Sequence, residues 1–172
     1  MFRRAVLDTG PLYSALVCNY SLRDIEYGRP PRLASELNVP LRERVTQQQF
    51  LDLLRSIDEK LTTSHVIAEL QGLEKSRLGL RGNERLRFWR TSIELLMLWS
   101  IDEKLIRLLD MAADENFKNL IPEIGLVDTG LIHLALKHGC ALITEDERTL
   151  FPRALEVGVD CRLVKQLISA QF

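Results

Sequence analysis

The stretch GLVDTGLIHLALKHGCALITEDERTL, residues 125–150, is the part of the sequence that most clearly indicates the fold. Residues 126–137 have apolar side chains at helical spacing, and Gly139 is the residue type that commonly ends a helix in the left-handed conformation. CALIT, residues 140–144, is a short apolar run that predicts a buried strand. A helix that leads into a buried strand is typical of α/β proteins with a parallel sheet.

The N-terminal segment shows the same elements in the opposite order. RAVLD, residues 4–8, is an apolar run ending in Asp8, and the helix-compatible LYSALVCNY, residues 12–20, follows after a Thr-Gly-Pro turn. Further apolar segments alternate in the same way, with helices expected near 45–60, 65–73 (capped by Ser64), 84–98, 102–116 and after 147, and short strands near 61–64, 98–101 and 160–164. We therefore predict a three-layer α/β/α fold with a central parallel sheet of about four to five strands.

A single domain spanning residues 1–172 is expected, since this length is ordinary for one domain and no repeat is present. Between about residues 21 and 44 the apolar period is lost, and Gly28, Pro30, Pro31 and Pro40 interrupt the sequence. We interpret this part as an irregular insertion or long loop.

Composition places the chain among ordinary soluble globular proteins, with 46% hydrophobic and 27% charged residues. No apolar run approaches the roughly 18 residues of a membrane span, and the N-terminus lacks the apolar core of a secretory signal, so we expect a cytoplasmic protein without a membrane partner. The three cysteines form no CxxC pair, which argues against a disulfide framework and a zinc site.

The formal net charge of −1 gives no basic field to attract nucleic acid, which weakens the hypothesis of a pure binding module. A nuclease is affected less, because bound metal ions can meet the phosphate. Phosphate-binding loops of the G-x-x-x-x-G-K-[ST] kind and G-x-G-x-x-G motifs are absent from the sequence, so no nucleotide cofactor is expected.

Four acidic residues lie where chemistry is expected in such a fold. Asp8 ends the first strand and Asp146 follows CALIT, at the sheet edge where α/β proteins bind ligands; each alone could also be a helix cap or turn residue. Glu69 and Asp128 interrupt largely apolar helical segments, where a charge is costly unless it is paired or metal-bound. A solvated helix face for Glu69 and a favourable helix-dipole contact for Asp128 are the alternatives.

Four acids at one edge with few basic neighbours would repel one another unless cations bind, and such oxygen ligands suit Mg²⁺ or Mn²⁺. A site of this kind hydrolyses phosphodiesters with a metal-activated water and needs no protein nucleophile. A phosphotransferase with a nucleophilic aspartate is disfavoured, because Thr9 and Gly10 follow Asp8 where a second acid would be needed.

The segments VLDTGPL (6–12), VIAELQGL (66–73) and the 125–150 stretch together resemble the PIN domain, a family of metal-dependent ribonucleases. The resemblance runs from residue 4 to about 164 in order and spacing. It implies that the catalytic residues and metal ligands are Asp8, Glu69, Asp128 and Asp146. It also implies that the Thr144 hydroxyl of the T-x-D motif orients Asp146 or a metal-bound water, and that Thr9 helps in the same way.

The family includes the toxins of type II toxin-antitoxin pairs, so the resemblance implies an RNA substrate, a small antitoxin partner if the chain is a toxin, and a homodimer. Glu145 stands where the family often has asparagine, and either supplements the site or caps the next helix; we favour the cap. The basic run from Lys75 to Arg90 could guide RNA phosphates or receive an acidic partner segment, but we favour a solvated helical face. The alternative function is a catalytically inert PIN-like scaffold that binds RNA or protein.

Overall fold

A five-stranded, entirely parallel sheet forms the centre of the computed structural model, which describes residues 2–170. In chain order the strands are β1 (Arg4–Leu7), β2 (Glu59–Thr63), β3 (Asp102–Lys104), β4 (Ala141–Thr144) and β5 (Cys161–Leu163). They are arranged in the order β3-β2-β1-β4-β5. Helices flank the sheet, which confirms the predicted three-layer α/β/α fold.

Helical segments connect the strands, as parallel pairing requires. The α-helices are α1 (Thr9–Glu26), α2 (Arg44–Arg55), α3 (Ser64–Leu73), α4 (Gly82–Leu98), α5 (Leu108–Ala112), α6 (Glu115–His138), α7 (Leu150–Glu156) and α8 (Val164–Ser169). Two 3₁₀ helices, Arg32–Glu36 and Val39–Arg42, lie between α1 and α2, and a π-helical turn, Glu74–Leu78, follows α3.

The pairing of the central strand β1 with β4 determines where the two strands end relative to each other. Its residues Ala5, Val6 and Leu7 are fully buried. Leu7 is opposite Ile143 of β4, and the Asp8 amide donates a hydrogen bond to the Ile143 carbonyl at 3.1 Å. The carboxyl ends of β1 and β4 therefore lie side by side, and whatever follows each strand is brought together.

The irregular segment predicted for residues 21–44 is shorter than expected, because α1 continues to Glu26. This helix packs against both α2 and α4, and its residues are buried nearly all round. Its last turns contain charged residues, and the buried Asp24 pairs with Arg29, which the sequence pattern could not show. The segment between α1 and α2 is residues 27–43, which we call the 27–43 segment.

The third strand lies later than the predicted LWSI, at residues 102–104, and the helix predicted over residues 102–116 is wrong in its first half. Trp99 still belongs to the end of α4, and Ser100 turns the chain with a φ of 49°. Pairing with β2 then makes a strand of the charged residues 102–104. An edge strand that is largely exposed carries no apolar signal.

Smaller predictions also differ from the structure. Thr63, rather than Ser64, caps α3, since its hydroxyl oxygen accepts a hydrogen bond from the Val66 amide at 3.4 Å. Val45, predicted on the buried face of α2, is 64% exposed.

Helix α6 is broken by Gly125, whose φ of 87° and ψ of 168° lie in a region essentially reserved for glycine. The predicted break and the new helix start at Leu126 are therefore confirmed, and Asp128 lies in the first turn of the second half. Of the described helices, α6 alone is long and apolar enough to cross a membrane. It packs on β1 and β4 with Leu131 and Ile132 fully buried, as a core helix does.

Candidate active site

The four predicted acids lie at the carboxyl edge of the sheet, close enough for their charges to interact. Asp8 follows β1, Asp146 follows β4, Glu69 lies on α3 after β2, and Asp128 lies on the second half of α6. The negative charges of Asp8, Asp146 and Glu69 all act on Asp128. The fold therefore brings the charges of four residues within interaction distance, although the residues are spread along the sequence from position 8 to position 146.

Asp8 is held rigidly, with only 8% of its surface exposed. Its Oδ1 accepts a hydrogen bond from the Thr9 amide at 2.6 Å, and its Oδ2 accepts one from the Thr144 hydroxyl at 2.7 Å. Burial raises the pKa of Asp8; the two hydrogen bonds oppose this, and the nearby charges of Glu69 and Asp146 add to it. The net effect is a raised pKa, because burial outweighs the two hydrogen bonds.

Thr144 and Thr9 connect the acids through their hydroxyls. The fully buried Thr144 accepts a hydrogen bond from the Asp146 amide at 2.9 Å and donates to Asp8, so it orients Asp8 rather than the Asp146 side chain. The Thr9 hydroxyl donates to Glu69 Oε2 at 2.6 Å. Each threonine thus fixes one carboxylate oxygen of a neighbouring element.

Asp128 is the acid at this edge whose carboxyl stays protonated to the highest stated pH. Burial is the largest cause, and the charges of Asp8, Asp146 and Glu69 add to it, so that the pKa of Asp128 rises to about 7. The predicted alternative, a helix-dipole contact, is consistent with its place in a first turn. A dipole alone would lower this pKa, so repulsion and burial outweigh it.

Asp146 accepts hydrogen bonds from the amides of the turn that leads into α7, whereas Asp8 is the N-cap of α1. Its Oδ1 accepts hydrogen bonds from the amides of Arg148 and Thr149, each at 2.9 Å, and its Oδ2 accepts one from the Leu150 amide at 3.3 Å. Burial acts to raise the pKa of Asp146, but these amide hydrogen bonds outweigh it and leave the pKa below its ordinary value. Asp146 therefore stays ionised. Its Oδ2, which accepts a single amide hydrogen bond, keeps a further lone pair.

Glu145 does not cap the next helix, and the interpretation that we favoured from sequence is wrong. Its Oε1 accepts a hydrogen bond from the Ser14 hydroxyl at 2.6 Å, and its Oε2 accepts one from the Asn38 amide group at 2.7 Å. Burial raises its pKa. A side chain at Gly10 would place a Cβ 3.0 Å from the Glu145 Cβ, so glycine is needed there for this close approach.

A cavity of about 670 Å³ opens over these carboxylates. Asp8, Glu69, Asp146 and Glu145 line it, together with Tyr13, Asn38 and Arg77, whereas Asp128 lies outside its lining. The Arg77 guanidinium is 5.6 Å from the centre of the Tyr13 ring. The cavity wall is therefore acidic at its base, with one arginine near the carboxylates.

The chemistry of the donors fits a hard divalent cation. Within residues 2–170, no lysine or arginine comes within 4.0 Å of the carboxylates of Asp8, Glu69, Asp128 or Asp146. Their excess negative charge is thus left for a cation to neutralise. Over the same residues, no three acidic, histidine or cysteine side chains are already gathered as a metal site.

Sequence reasoning did not assign Ser14, Asn38 or Tyr13 to this site. Gly10 and Ser14 are one helical turn apart on a largely apolar helix, which is a pattern that could have indicated a face turned to a site. Asn38 comes from the 27–43 segment, where no local pattern exists, and only the tertiary fold places it beside Glu145.

The chain was also compared with known proteins. A family model described as PIN domain matches residues 36–155, which is more than two thirds of the chain. The matched part contains Glu69, Asp128 and Asp146. It begins at residue 36, so Asp8 lies before it. Domains of this family are generally nucleases that use divalent metals. No curated protein matches the chain.

Proposed function

The chain belongs to the PIN domain family, and from that membership we propose that it is an endoribonuclease that requires Mg²⁺ or Mn²⁺. The observation that carries this proposal is that four carboxylates lie at one sheet edge with interacting charges and without a basic side chain to neutralise them. Such an arrangement lowers the stability of the folded chain unless a cation binds. A purely structural role does not explain why four carboxylates are kept together at this cost.

The residues that would hold the metal are Asp8, Glu69, Asp128 and Asp146. When bound, a divalent ion lowers the pKa of a water molecule and neutralises negative charge on the phosphate. Thr144 keeps the Asp8 carboxylate turned toward the cavity, and Thr9 does the same for Glu69. The raised pKa of Asp128 means that this residue can also hold a proton near neutral pH.

We also propose the toxin of a toxin-antitoxin pair as the biological role, in the cytoplasm, with a small antitoxin that covers the cavity. The resemblance to toxins of this family supports the role, and a gene for a small partner beside this one would strengthen it. A homodimer is proposed as well. Its support is an apolar stripe on the outer side of α4, where Leu86, Ile93 and Met97 are each more than half exposed.

The proposal is tested with a mixed RNA pool, with and without Mg²⁺ or Mn²⁺, using the unsubstituted protein and Asp8→Asn. We expect cleavage that requires metal and is lost in the variant. Asp52→Asn is the matched control, since Asp52 is an exposed aspartate on α2 whose ion pair with Arg55 is remote from the acids. Absence of cleavage and of metal binding, in a folded protein, would favour the inert RNA- or protein-binding scaffold.

A further inference from the structure

A second cavity, of about 540 Å³, lies directly beside the one over the carboxylates. The two cavities share Asn38, Glu145 and Asp146 in their linings. The hydrogen bond from Asn38 to Glu145 therefore forms the boundary between them. A polymer bound across the acids can pass this boundary without leaving the surface.

The second cavity differs from the first in chemistry. One wall is apolar and is formed by residues 39–41 of the 27–43 segment and by Leu163, Val164 and Ile168 at the end of β5 and on α8. The cations Arg148 and Lys165 also line it. Glu147 lines it too and forms an ion pair with Lys165, which leaves Arg148 as the cation without an acidic partner among the described residues. An apolar wall beside two exposed cations suits a ligand with a flat apolar part and an anionic part.

We propose that the second cavity binds a nucleotide adjoining the scissile phosphate of a single-stranded RNA, with its base on the apolar wall and its phosphate near Arg148 and Lys165. This inference rests on the proposed function. An endonuclease cuts inside a strand, so the strand must continue beyond the acids, and the second cavity is contiguous with them. Its volume falls within the range of roughly 300–1,000 Å³ typical of small-ligand sites.

Single-stranded RNA fits better than duplex RNA, because a base must be free of its partner to lie against an apolar wall. An acidic peptide would also meet the two cations, and Glu145 and Asp146 at the shared boundary would repel peptide and RNA alike. RNA is favoured by continuity, because a strand cut at the acids must continue along the surface and a peptide has no such requirement. The proposal gives the 27–43 segment a function, since Asn38, Val39 and Leu41 form the boundary and part of the wall.

The test measures binding of a fluorescent oligouridylate of about eight nucleotides to Asp8→Asn in Mg²⁺, so that cleavage does not interfere. Adding Arg148→Ala and Lys165→Ala should weaken binding about tenfold or more. It should also reduce the salt dependence, the slope of log affinity against log salt, by about 1.4. Adding Lys137→Ala and Arg162→Ala instead removes the same charge outside this cavity, and should change binding less than about threefold.

A second variant tests the apolar wall without removing charge. Val39 is 73% exposed, so Val39→Trp should fold and fill the cavity mouth. We expect weaker oligonucleotide binding and slower cleavage of long RNA, with unchanged Mg²⁺ binding.

Equal effects of the two charge pairs, together with a silent Val39→Trp, would overturn the second-cavity proposal even if the unsubstituted protein cleaves RNA. Displacement of the RNA by an acidic peptide, with loss of that peptide's binding in the Arg148 and Lys165 variant alone, would assign the cavity to a protein partner instead. A protein that binds the oligonucleotide through this cavity but never cleaves would contradict only the proposed catalysis.

Discussion

We predict that Asp128→Asn stabilises the protein without metal at neutral to alkaline pH and removes most of the stabilisation that Mg²⁺ provides. Burial, and then the charges of Asp8, Asp146 and Glu69, raises the pKa of Asp128 to about 7. In the unfolded chain an aspartate has a pKa of about 3.9, and the difference corresponds to at most about 4 kcal/mol. Because Asp128 is only partly buried, solvent screening reduces this to about 2 kcal/mol.

The sign follows from proton binding. The folded state holds the proton up to about pH 7, whereas the unfolded chain releases it near about pH 4, so the stability contributed by the protonated carboxyl is complete below about pH 4 and is lost as the pH rises to about 7. Asparagine does not titrate. Its lost helix-dipole contact costs about 0.5 kcal/mol, so a net gain of roughly 1.5 kcal/mol should appear at about pH 8 and nearly vanish at about pH 4.

The assay is urea unfolding followed by circular dichroism at both pH values, first with EDTA and then with Mg²⁺. At a hundredfold excess over its dissociation constant, Mg²⁺ should stabilise the unsubstituted protein by about 2.7 kcal/mol and the variant much less. Asp52→Asn should change the free energy of unfolding by less than about 0.5 kcal/mol under every condition. Destabilisation by Asp128→Asn in EDTA at about pH 8 would show that burial and repulsion do not act on this residue as described.

Three further changes test other parts of the site. Thr144→Val removes the hydroxyl between Asp8 and the Asp146 amide; in urea unfolding it should cost about 1–3 kcal/mol, because buried polar groups lose their partner, and RNA cleavage should fall. Asp146→Asn should keep most of the amide hydrogen bonds before α7 and cost under about 1 kcal/mol while abolishing cleavage, whereas Asp146→Ala should lose both. Gly125→Ala should lower the thermal midpoint, with a loss of about 1–3 kcal/mol, because its backbone conformation strains any side chain.

The fold could be predicted from sequence where strands are buried on both faces. Residues 5–7 and 141–143 are continuous apolar runs, and the glycines at 125 and 139 mark real breaks. The exposed edge strand β3 was misplaced, because three charged residues carry no signal of strand structure. The last turns of α1 were missed because they contain Arg23, Asp24 and Glu26, and Asp24 is buried beside Arg29, a pairing that no local pattern shows.

The site could be predicted only as far as the position of residues along the strands. Strand ends indicate which acids share an edge, but not which way neighbouring side chains point. Glu145 and Asp146 illustrate this limit, since both line the cavity. Asp146 accepts hydrogen bonds from backbone amides of the turn before α7, whereas Glu145 binds the Ser14 and Asn38 side chains, although the sequence favoured a cap for Glu145. The difference is decided by Ser14 and Asn38, which come from distant parts of the chain.

The two cavities suggest why this edge combines strong negative charge with nearby cations. Carboxylates without a metal repel RNA phosphates, so the metal-free protein should bind its substrate weakly. Arg77 on one side and Arg148 with Lys165 on the other would hold flanking phosphates, and the metal would reverse the charge between them. Substrate and metal should therefore bind cooperatively, since each lowers the electrostatic cost of the other. The Asn38–Glu145 contact lies at this meeting point, and the 27–43 segment supplies it.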